Sequence, residues 1–566
     1  MRGRGAWMLF GALTALLALA LVAPVAMVVG GGFFANGEWT TRYLLGVFQN
    51  PLYAEGLFNS LRIAVGTTTL AALVALPLAW MSHKFDFWGK AALNAMVLVP
   101  LILPPFVGAI GLLQILGPYG ALNALLGCGP VDWLGLSRYA GVVALQALTL
   151  YPIIYLNAAA ALANVDPAME EASANLGAGA WTTLRRVTLP LIMPGLFAGM
   201  TLVFIASFTE LGTPLMLGYT RCAAVQVYDE LKEISSSPFP YALVTVVLCA
   251  SVALYALSKF LFGRRSHAMQ AKAAVAWKAK KLRGWRGALA ALPFVVVAVF
   301  ALAPHTGVIL TSFSTPGGWY KTVLPEVFTT ANYSEALSHD LTLRGIRNSL
   351  VFSSVAVVFN VLLGVGVALV VVRSRIKIRW LLDGLAMIPL AVPGLVMAFG
   401  FLALSGWFSR QTALPAGLRM MLDVRENPTV FLVVAYAVRR LPYMVRAAVA
   451  GLQQTSVTLE EAAANLGAGA FTVLRRVTTP LIAANLVAGV LLAFSFSMLE
   501  VSDSLMLAQK MDYFPITKTI FELFQLVGVG RFLAAALGVW AMVFLGVTIV
   551  GASLMLGKKM GALFRA

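Results

Sequence analysis

The sequence predicts an all-α integral membrane protein with about twelve transmembrane helices, arranged as two parallel repeats of six. Hydrophobic residues make up 60% of the 566 residues and charged residues 11%, whereas soluble proteins are about a quarter charged. Apolar runs of roughly 20 residues recur along the whole chain, and each is long enough as a helix to cross the hydrocarbon core. The alternating pattern of a membrane β-barrel is absent. One polar stretch occurs twice, 290 residues apart, which divides the chain into halves.

The repeated stretch comprises residues 170–192 and 460–482, which are identical at 19 of 23 aligned positions. The apolar segments around it differ far more between the halves, although a recent duplication would have left them similar as well. We therefore expect both copies to meet a similar partner surface. The repeat extends beyond this stretch, because Pro393 follows Pro104 by 289 residues.

The apolar runs place six helices in the first half, residues 1–262, and six in the second half, residues 287–566. In the first half the helices are expected at about 6–29, 58–82, 91–116, 138–163, 195–217 and 240–262. In the second half they are expected at about 287–312, 346–372, 381–407, 428–451, 485–508 and 532–556. Prolines in the third helix of each half predict a kink or break at membrane depth.

The net charge of +18 would suggest nucleic-acid binding in a soluble protein. Here the Lys and Arg residues cluster in short loops, which the positive-inside rule assigns to the cytoplasm. The charge therefore indicates topology and attraction to the lipid bilayer, and nucleic acid is not an expected partner. The linker 263–286 carries eight basic residues and no acid. Both termini, the linker and both repeat copies are predicted on the cytoplasmic side.

Each repeat copy reads as two short helices joined at a glycine outside the membrane. We call residues 164–193 the first elbow and residues 453–483 the second elbow. In the first elbow, Asp166-Pro167 supplies a helix cap followed by proline at the first helical position. Gly177 suits a turn that needs a positive φ angle or the close approach of another backbone. A cytoplasmic loop without a partner would not need this detail twice.

The elbows resemble the EAA loop of ABC importer permeases, where EAA is followed by three residues, Gly, nine residues and I-x-L-P. In the first elbow Ser173 replaces the third residue and Val187 replaces Ile; in the second, Thr479 occupies the Leu position. The whole chain resembles the fused permeases of the ferric-iron, thiamine and phosphonate type. This resemblance implies a type I ABC importer permease fold in the bacterial inner membrane.

The resemblance also implies that each elbow is a coupling helix that docks one of two copies of an ABC ATPase subunit. A periplasmic or other extracytoplasmic substrate-binding protein would be the second partner. The residues implied in coupling are Glu170, Glu171, Ala172, Gly177, Arg185, Arg186 and Pro190, with Glu460, Glu461, Ala462, Gly467, Arg475, Arg476 and Pro480. The arginine pairs either meet acidic partner residues or mark a membrane-proximal turn.

ATP binding is not expected in this chain, because it contains no GxxxxGK[ST] motif. ATP and Mg would be bound by the partner subunit, so the chain is predicted to hold no cofactor and not to be an enzyme. Two other classes share parts of the pattern. A secondary transporter also has twelve helices in two parallel halves, but it does not require duplicated elbows. A membrane-bound enzyme is disfavoured, because the four histidines are scattered without metal-ligand spacing.

The predicted translocation path includes Glu210 and Glu500, which lie within apolar segments 290 residues apart. Charges inside membrane spans are costly and commonly functional. These carboxylates either contact a cation or gate along the path, or pair locally near the interface. Pro104 and Pro393 are also assigned to the path, since broken helices free carbonyl groups that can line a cavity. A packing kink is the alternative.

Several residues receive weaker predictions. Arginines near span ends are expected to extend their charges towards the interface, and they are Arg62, Arg439, Arg440 and Arg446. Asp503 is expected near a helix end. Cys128 and Cys222 both fall in predicted outer loops, where a disulfide is one option and free thiols the other. For the substrate, the resemblance favours ferric iron, with phosphonates, phosphorylated small molecules and thiamine as alternatives.

Overall fold

A computed structural model describes residues 4–35, 37–101, 104–135, 138–234, 237–263 and 279–556. The chain is almost entirely helical, which confirms the predicted all-α class. The described residues also form two short strand pairs, Phe34–Ala35 with Glu38–Trp39 (antiparallel) and Phe85–Asp86 with Lys280–Lys281 (parallel). The predicted linker charges up to Lys278, and those of the C-terminal tail, lie outside the described residues.

The first half contains fourteen α-helices among its described residues. They are Arg4–Leu17, Ala23–Phe33, Arg42–Gln49, Pro51–Lys84, Lys90–Leu98, Pro105–Leu116, Ala121–Leu126, Tyr139–Ala163, Pro167–Asn175, Ala180–Thr183, Leu189–Phe208, Gly212–Leu217, Ala223–Asp229 and Phe239–Gly263. Short π or 3-10 turns connect some of them, at Ala18–Val22, Val99–Leu101, Leu184–Thr188 and Glu230–Glu233.

The second half contains thirteen α-helices in its described part. They are Trp285–Phe313, Ala331–Ser338, Asp340–Arg373, Arg379–Ala391, Gly394–Ser409, Ala416–Met421, Thr429–Gln454, Val457–Asn465, Ala470–Val473, Thr479–Met498, Ser502–Leu507, Ile516–Gln525 and Gly530–Leu556. A π turn at Leu474–Thr478 and a 3-10 turn at Met511–Tyr513 complete the half. From Arg42–Gln49 and Ala331–Ser338 onward, most elements recur at an offset of 289 to 291 residues.

Ten helical segments of the described chain are long and apolar enough to cross a membrane. They are Gly5–Phe33, Pro51–Lys84, Pro105–Leu126, Tyr139–Ala163, Ala180–Phe208, Phe239–Leu257, Trp285–Phe313, Asp340–Arg373, Ala470–Met498 and Gly530–Thr548. A bent pair, Arg379–Leu390 with Gly394–Ser409, makes an eleventh. The predicted tenth helix exists as Thr429–Gln454, 26 residues long. Three arginines make it less apolar than its equivalent, Tyr139–Ala163.

The third span of each half is broken, as its prolines predict. In the first half the chain runs from Lys90–Leu98 through a short 3-10 turn and restarts as a helix at Pro105. In the second half the two segments meet at an angle of 102°. Pro104 and Pro393 each precede the restarted helix with an extended ψ angle, 132° and 140°. Each proline therefore caps the start of the second helical segment.

The two halves exchange their opening helices. Arg4–Phe33 packs against helices of the second half, and its buried residues Phe10, Leu17 and Leu21 share a hydrophobic cluster with that half. Conversely, Trp285–Phe313 packs against the broken span of the first half, and its Phe294 lies in a first-half cluster. The halves defined by sequence are therefore interlocked, with each core completed by a helix from the other.

Candidate functional site: two elbows and a buried charge network

Each elbow consists of two short helices joined by a glycine-terminated turn. Asp166 Oδ1 accepts a hydrogen bond from Ala168 N (3.0 Å), so the predicted helix cap is present. At the turn Gly177 has φ +82°, and Ala178 N donates to Ser173 O (3.1 Å). This is a Schellman ending, which requires a left-handed residue. An added Cβ at Gly177 would meet no atom within 4 Å, so the backbone angle and not crowding favours glycine.

The second elbow repeats this geometry. Ser456 replaces aspartate as the cap and accepts from Thr458 N (3.3 Å). Gly467 has φ +86°, and Ala468 N donates to Ala463 O (3.1 Å). In both elbows the arginine pair lies in a π-helical turn that leads into the following span. The two copies thus share conformation as well as sequence.

The first glutamate of each elbow anchors it to the preceding long helix. Glu170 is buried and pairs with Lys84 at the end of Pro51–Lys84, while its other oxygen accepts from Thr188 Oγ1 (2.6 Å). Glu460 accepts from Arg373 Nε and from Thr478 Oγ1, at 3.2 and 3.3 Å. Lys84 and Arg373 occupy positions 289 residues apart. These two carboxylates therefore bind their own chain and hold the elbow in place.

The remaining elbow residues form an exposed surface. Glu171, Ala172, Arg185, Arg186 and Pro190 are all exposed, and so are Glu461, Ala462, Arg475, Arg476 and Pro480. Sequence reasoning missed the apolar part of this surface. Leu176 and Leu466 are each 89% exposed, and Trp181 and Phe471 are exposed as well. The sequence feature that could have predicted this apolar part is a large apolar side chain within a charged loop. Exposed apolar groups with a polar rim are typical of protein interaction sites.

Glu210 does not lie within a continuous helix, contrary to the prediction. The helix ends at Phe208, and the Glu210 carboxylate accepts from Thr213 N (2.9 Å) at the start of Gly212–Leu217. Gln146 Nε2 donates to the same oxygen, Oε2, at 3.2 Å, and Thr213 N also lies 3.0 Å from Oε1. The carboxylate thus satisfies a free amide in the first turn of the short helix, directly after the long helix has ended. Glu500 lies at the equivalent break, after Met498.

Glu500 belongs to a buried charge network. Arg439 Nη1 lies 3.1 Å from Glu500 Oε1 and 3.6 Å from Asp503 Oδ2. Arg440 pairs with the other Glu500 oxygen and also donates to Phe496 O (2.9 Å). The carboxylate side chains are 4% and 0% exposed. The expectation that Arg439 and Arg440 extend towards the interface is therefore wrong. Asp503, expected near a helix end, lies in the first turn of Ser502–Leu507.

The network is possible because of the break in the neighbouring span. A Cβ added at Gly394, directly after Pro393, would overlap the guanidinium of Arg439. The absence of a side chain at this position lets the arginine reach across to the two carboxylates. Buried charges of opposite sign are tolerated when they pair closely, and here Arg440 also donates a hydrogen bond to Phe496 O. In the described residues, no three His, Cys, Asp or Glu side chains are grouped so that they could hold a metal ion.

The described residues of the first half contain no such network. At an offset of 290 residues, Thr149, Leu150 and Thr213 stand where the second half has Arg439, Arg440 and Asp503. Glu210 is accordingly held by amide donors, whereas its equivalent Glu500 is held by two guanidinium groups. The glutamates are equivalent in position but differ in their electrostatic environment. The sequence feature that could have predicted the buried charges is the adjacent arginine pair inside an otherwise apolar helix.

One contact joins two equivalent residues directly. Beyond the outer loops the halves align at an offset of 293 residues, because Ala223 N and Ile516 N donate to the corresponding Ser60 and Ser349 hydroxyls. Tyr228 and Phe521 are therefore equivalent, and their rings meet edge to face with centroids 6.5 Å apart. Lys518 Nζ also donates to Tyr228 Oη at 3.3 Å. Equivalent residues lie at equal distances from the pseudo-two-fold axis, so a pair in contact must lie beside that axis. Lys518 is buried, and its ammonium lies 5.5 Å from the ring of Phe514 and 5.6 Å from that of Phe521. Sequence reasoning did not identify this pair.

The two loop cysteines do not form a disulfide. Both thiols are free, with Cys128 exposed and Cys222 buried. Burial raises the pKa of the Cys222 thiol to about 12. At pH 7 to 8 this thiol therefore stays protonated and unreactive, because the thiolate is the nucleophile.

Comparison with known proteins shows a match to the family described as binding-protein-dependent transport system inner membrane component, over residues 51–267 and 360–553. The ferric transport system permease protein FbpB of Actinobacillus pleuropneumoniae is 25% identical over 483 residues, which cover 81% of this chain and 64% of that protein. A Haemophilus influenzae protein, named as a candidate ferric transport system permease, is 25% identical over 84% of this chain and 73% of its own length.

The molybdenum transport system permease protein ModB of Haemophilus influenzae is 29% identical over 36% of this chain and 91% of its own length. Among solved structures, a chain of a bacterial ABC transporter involved in alginate import aligns with 47% of this chain and 94% of its own. Its identity is 17% and its TM-score 0.35, which is too low to support an argument about the fold.

Proposed function

Because the chain belongs to the family of inner membrane components of binding-protein-dependent transport systems, we propose that it forms the whole membrane path of an ABC importer. The observation that carries this proposal is the pair of exposed elbows with one conformation. A symmetric pair of ATPase subunits needs two matching docking surfaces, and the fused chain provides both. ATP hydrolysis would then occur in those subunits, with a substrate-binding protein delivering cargo on the opposite side.

The elbow surface suits a tightly docked partner. Leu176 and Trp181 in the first elbow, like Leu466 and Phe471 in the second, would insert into an apolar cleft on the ATPase. The exposed Glu171 and the arginine pair form a charged rim around them. An apolar centre with a polar rim is the usual organisation of a specific interface. The anchored Glu170 and Glu460 would transmit movement of the elbow to the long spans.

Ferric iron is the proposed substrate. Its support is that the relatives named for ferric transport align across both halves of this chain, covering 81% and 84% of it. The ModB relative named for molybdenum transport covers 36% of the chain. Molybdate is the second candidate on this observation, since the same family fold accepts it in single-half form.

The path is proposed to run along the pseudo-two-fold axis. Tyr228 and Lys518, which touch beside that axis, would close its extracytoplasmic end. Glu210 and Glu500 at the paired helix breaks, together with Pro104 and Pro393, would line it deeper in the membrane. Because Glu500 is neutralised by arginines, Glu210 is the carboxylate better placed to meet a passing cation.

Reconstitution tests the function. Vesicles that contain the permease and its ATPase should accumulate radioactive iron when ferric-loaded binding protein is supplied on the extracytoplasmic side and ATP on the ATPase side. Copurification of the ATPase with the permease is expected as well. Uptake that runs on a proton gradient without ATP would contradict an importer of this class. Accumulation of molybdate but not iron would overturn the proposed substrate alone.

Gly177→Val should reduce ATP-driven uptake strongly while leaving membrane insertion intact. A β-branched residue at φ +82° is strained by roughly 1–2 kcal/mol, so the elbow should lose its turn. Gly179→Val is the matched control, since this glycine has an ordinary φ of −67° and equally open surroundings. Uptake and ATPase copurification should be measured for both. Equal activity of the two variants would argue against a coupling role for the turn.

The proposed orientation places Cys128 outside the cell membrane. A membrane-impermeant maleimide added to intact spheroplasts should label the wild-type protein, and Cys128→Ser should lose that label. The buried, protonated Cys222 should contribute little, because its pKa is raised to about 12. Labelling that requires prior permeabilisation of the cells would show the opposite orientation.

A further inference from the structure

A cleft of about 530 Å³ opens beside the start of the second half. It lies between the turn that follows Pro51–Lys84 and the first residues of Trp285–Phe313. Its walls therefore come from both halves, at the ends of two spans. By the charge distribution this is the cytoplasmic side, at the level where lipid headgroups meet the protein.

Backbone hydrogen bonds hold the cleft open. Phe85–Asp86 pairs with Lys280–Lys281 as parallel strands, and Leu282 N donates to Asp86 O at 2.8 Å. The side chain of Lys90 adds a further hydrogen bond, from Nζ to Phe85 O at 2.8 Å. The end of the basic linker is thus fixed against the first half. The backbone of the residues that follow the linker is therefore fixed in position beside the cleft.

The cleft combines a basic rim with an apolar wall. Lys281 and Arg283 line it with a single acid, Asp86. The apolar wall is formed by Phe87 and by small residues on one side of the helix, Gly287, Ala288 and Ala291. Arginine binds phosphate groups through paired, charge-assisted hydrogen bonds. An apolar wall beside such a rim fits a ligand that is anionic at one end and apolar along the rest of its length.

Two tryptophans flank the cleft. Trp88 lines it and is 96% exposed, and Trp285 is 72% exposed. Arg286 places its guanidinium 5.6 Å from the centre of the Trp285 ring. Exposed tryptophans beside Lys and Arg are typical of the membrane–water interface. The exposure of these rings is accounted for if lipid surrounds them.

We propose that this cleft binds an anionic phospholipid of the cytoplasmic leaflet. Lys281 and Arg283 would hold the headgroup phosphate, and an acyl chain would follow the small residues from Gly287 to Ala291. The cytoplasmic leaflet carries the negative surface potential that basic juxtamembrane segments attract. Since both halves form the cleft, a bound lipid would link the first cytoplasmic turn to the start of the second half.

Native mass spectrometry of the full-length protein with added phosphatidylglycerol tests this site. Lys281→Ala/Arg283→Ala should retain at least about fivefold less phosphatidylglycerol than the wild-type protein. Arg375→Ala/Lys377→Ala is the matched control, because it removes two exposed charges from the equivalent turn of the second half. This control should retain wild-type amounts. Equal retention in all three proteins would overturn the proposal.

Two further measurements identify the ligand. Brominated phosphatidylglycerol should quench tryptophan fluorescence in the wild-type protein and measurably less in Trp88→Phe; equal quenching would contradict a lipid in this cleft. Millimolar inorganic phosphate should leave the bound lipid in place. Full displacement by phosphate alone would instead assign the rim to a free anion. These assays need no transport, so their outcome is independent of the importer assignment.

Discussion

A reducible cross-link between cysteines at positions 228 and 518 should stop ATP-driven uptake, at least tenfold, and reduction should restore it. The variant is Tyr228→Cys/Lys518→Cys in a chain whose native Cys128, Cys222 and Cys249 are replaced by serine. Because the two side chains belong to different halves and are in contact beside the axis, a covalent link there joins the halves where the path is proposed to open. A bifunctional methanethiosulfonate, added during turnover, matches the reach of the two long side chains.

A cross-link within one half is the control for this experiment. Arg221 Nη1 lies 3.3 Å from Glu55 Oε1, and both residues belong to the first half. Glu55→Cys/Arg221→Cys, linked in the same way, should leave uptake near the uncross-linked rate. Continued uptake through the linked 228–518 protein would show that the path does not open between these residues. Absence of uptake before linking would instead question the importer assignment.

Glu500→Gln should destabilise the protein much more than Glu210→Gln. Loss of the Glu500 charge leaves Arg439 and Arg440 buried with Asp503 alone, and breaking a buried ion pair costs about 3–5 kcal/mol. Gln at position 210 can still accept from Thr213 N, so about 1 kcal/mol is expected there. The melting temperature of each purified variant in detergent measures the difference. The two glutamates occupy equivalent positions, which makes each a control for the other.

A second substitution separates charge pairing from simple packing. Arg440→Gln in the Glu500→Gln background removes one positive charge together with the negative one. We expect the melting temperature to recover part of the loss, because fewer buried charges then lack a partner. Equal melting temperatures for Glu500→Gln and Glu210→Gln, or no recovery in the double variant, would contradict an energetically important network.

Local features were predictable from the sequence because neighbouring residues determine them. The cap at Asp166 depends on the next two residues, and the turn at Gly177 depends on a backbone angle that glycine adopts without strain. The broken spans follow from Pro104 and Pro393, which cannot continue the hydrogen-bond ladder. Hydrophobic run length likewise placed most spans within a few residues, since membrane thickness sets that length.

Partners distant in sequence were not predictable in the same way. Arg440 and Glu500 are 60 residues apart. Helix periodicity predicts on which face of its helix each residue lies, but it does not predict which other helix that face contacts. The repeat relates positions of the two halves, but it cannot tell which equivalent pairs, such as Tyr228 and Phe521, lie on the axis. The helix break at Glu210 was also missed, because the apolar run continues past Phe208 and suggests a single helix.

The exchange of opening helices has a consequence for biosynthesis. The partner of Arg4–Phe33 includes Gly394–Ser409, which the ribosome produces only after the whole first half and the linker. The ribosome adds about 5–20 residues per second, so the N-terminal helix stays in the bilayer for on the order of a minute or less before this partner is made. During that time the face that later packs against the second half is exposed to lipid. During that interval the nascent chain depends on the insertion machinery or on lipid to cover Phe10 and Leu17. Final assembly is therefore a late event, and joining both halves in one polypeptide keeps the waiting helix near the second-half helices that it packs against.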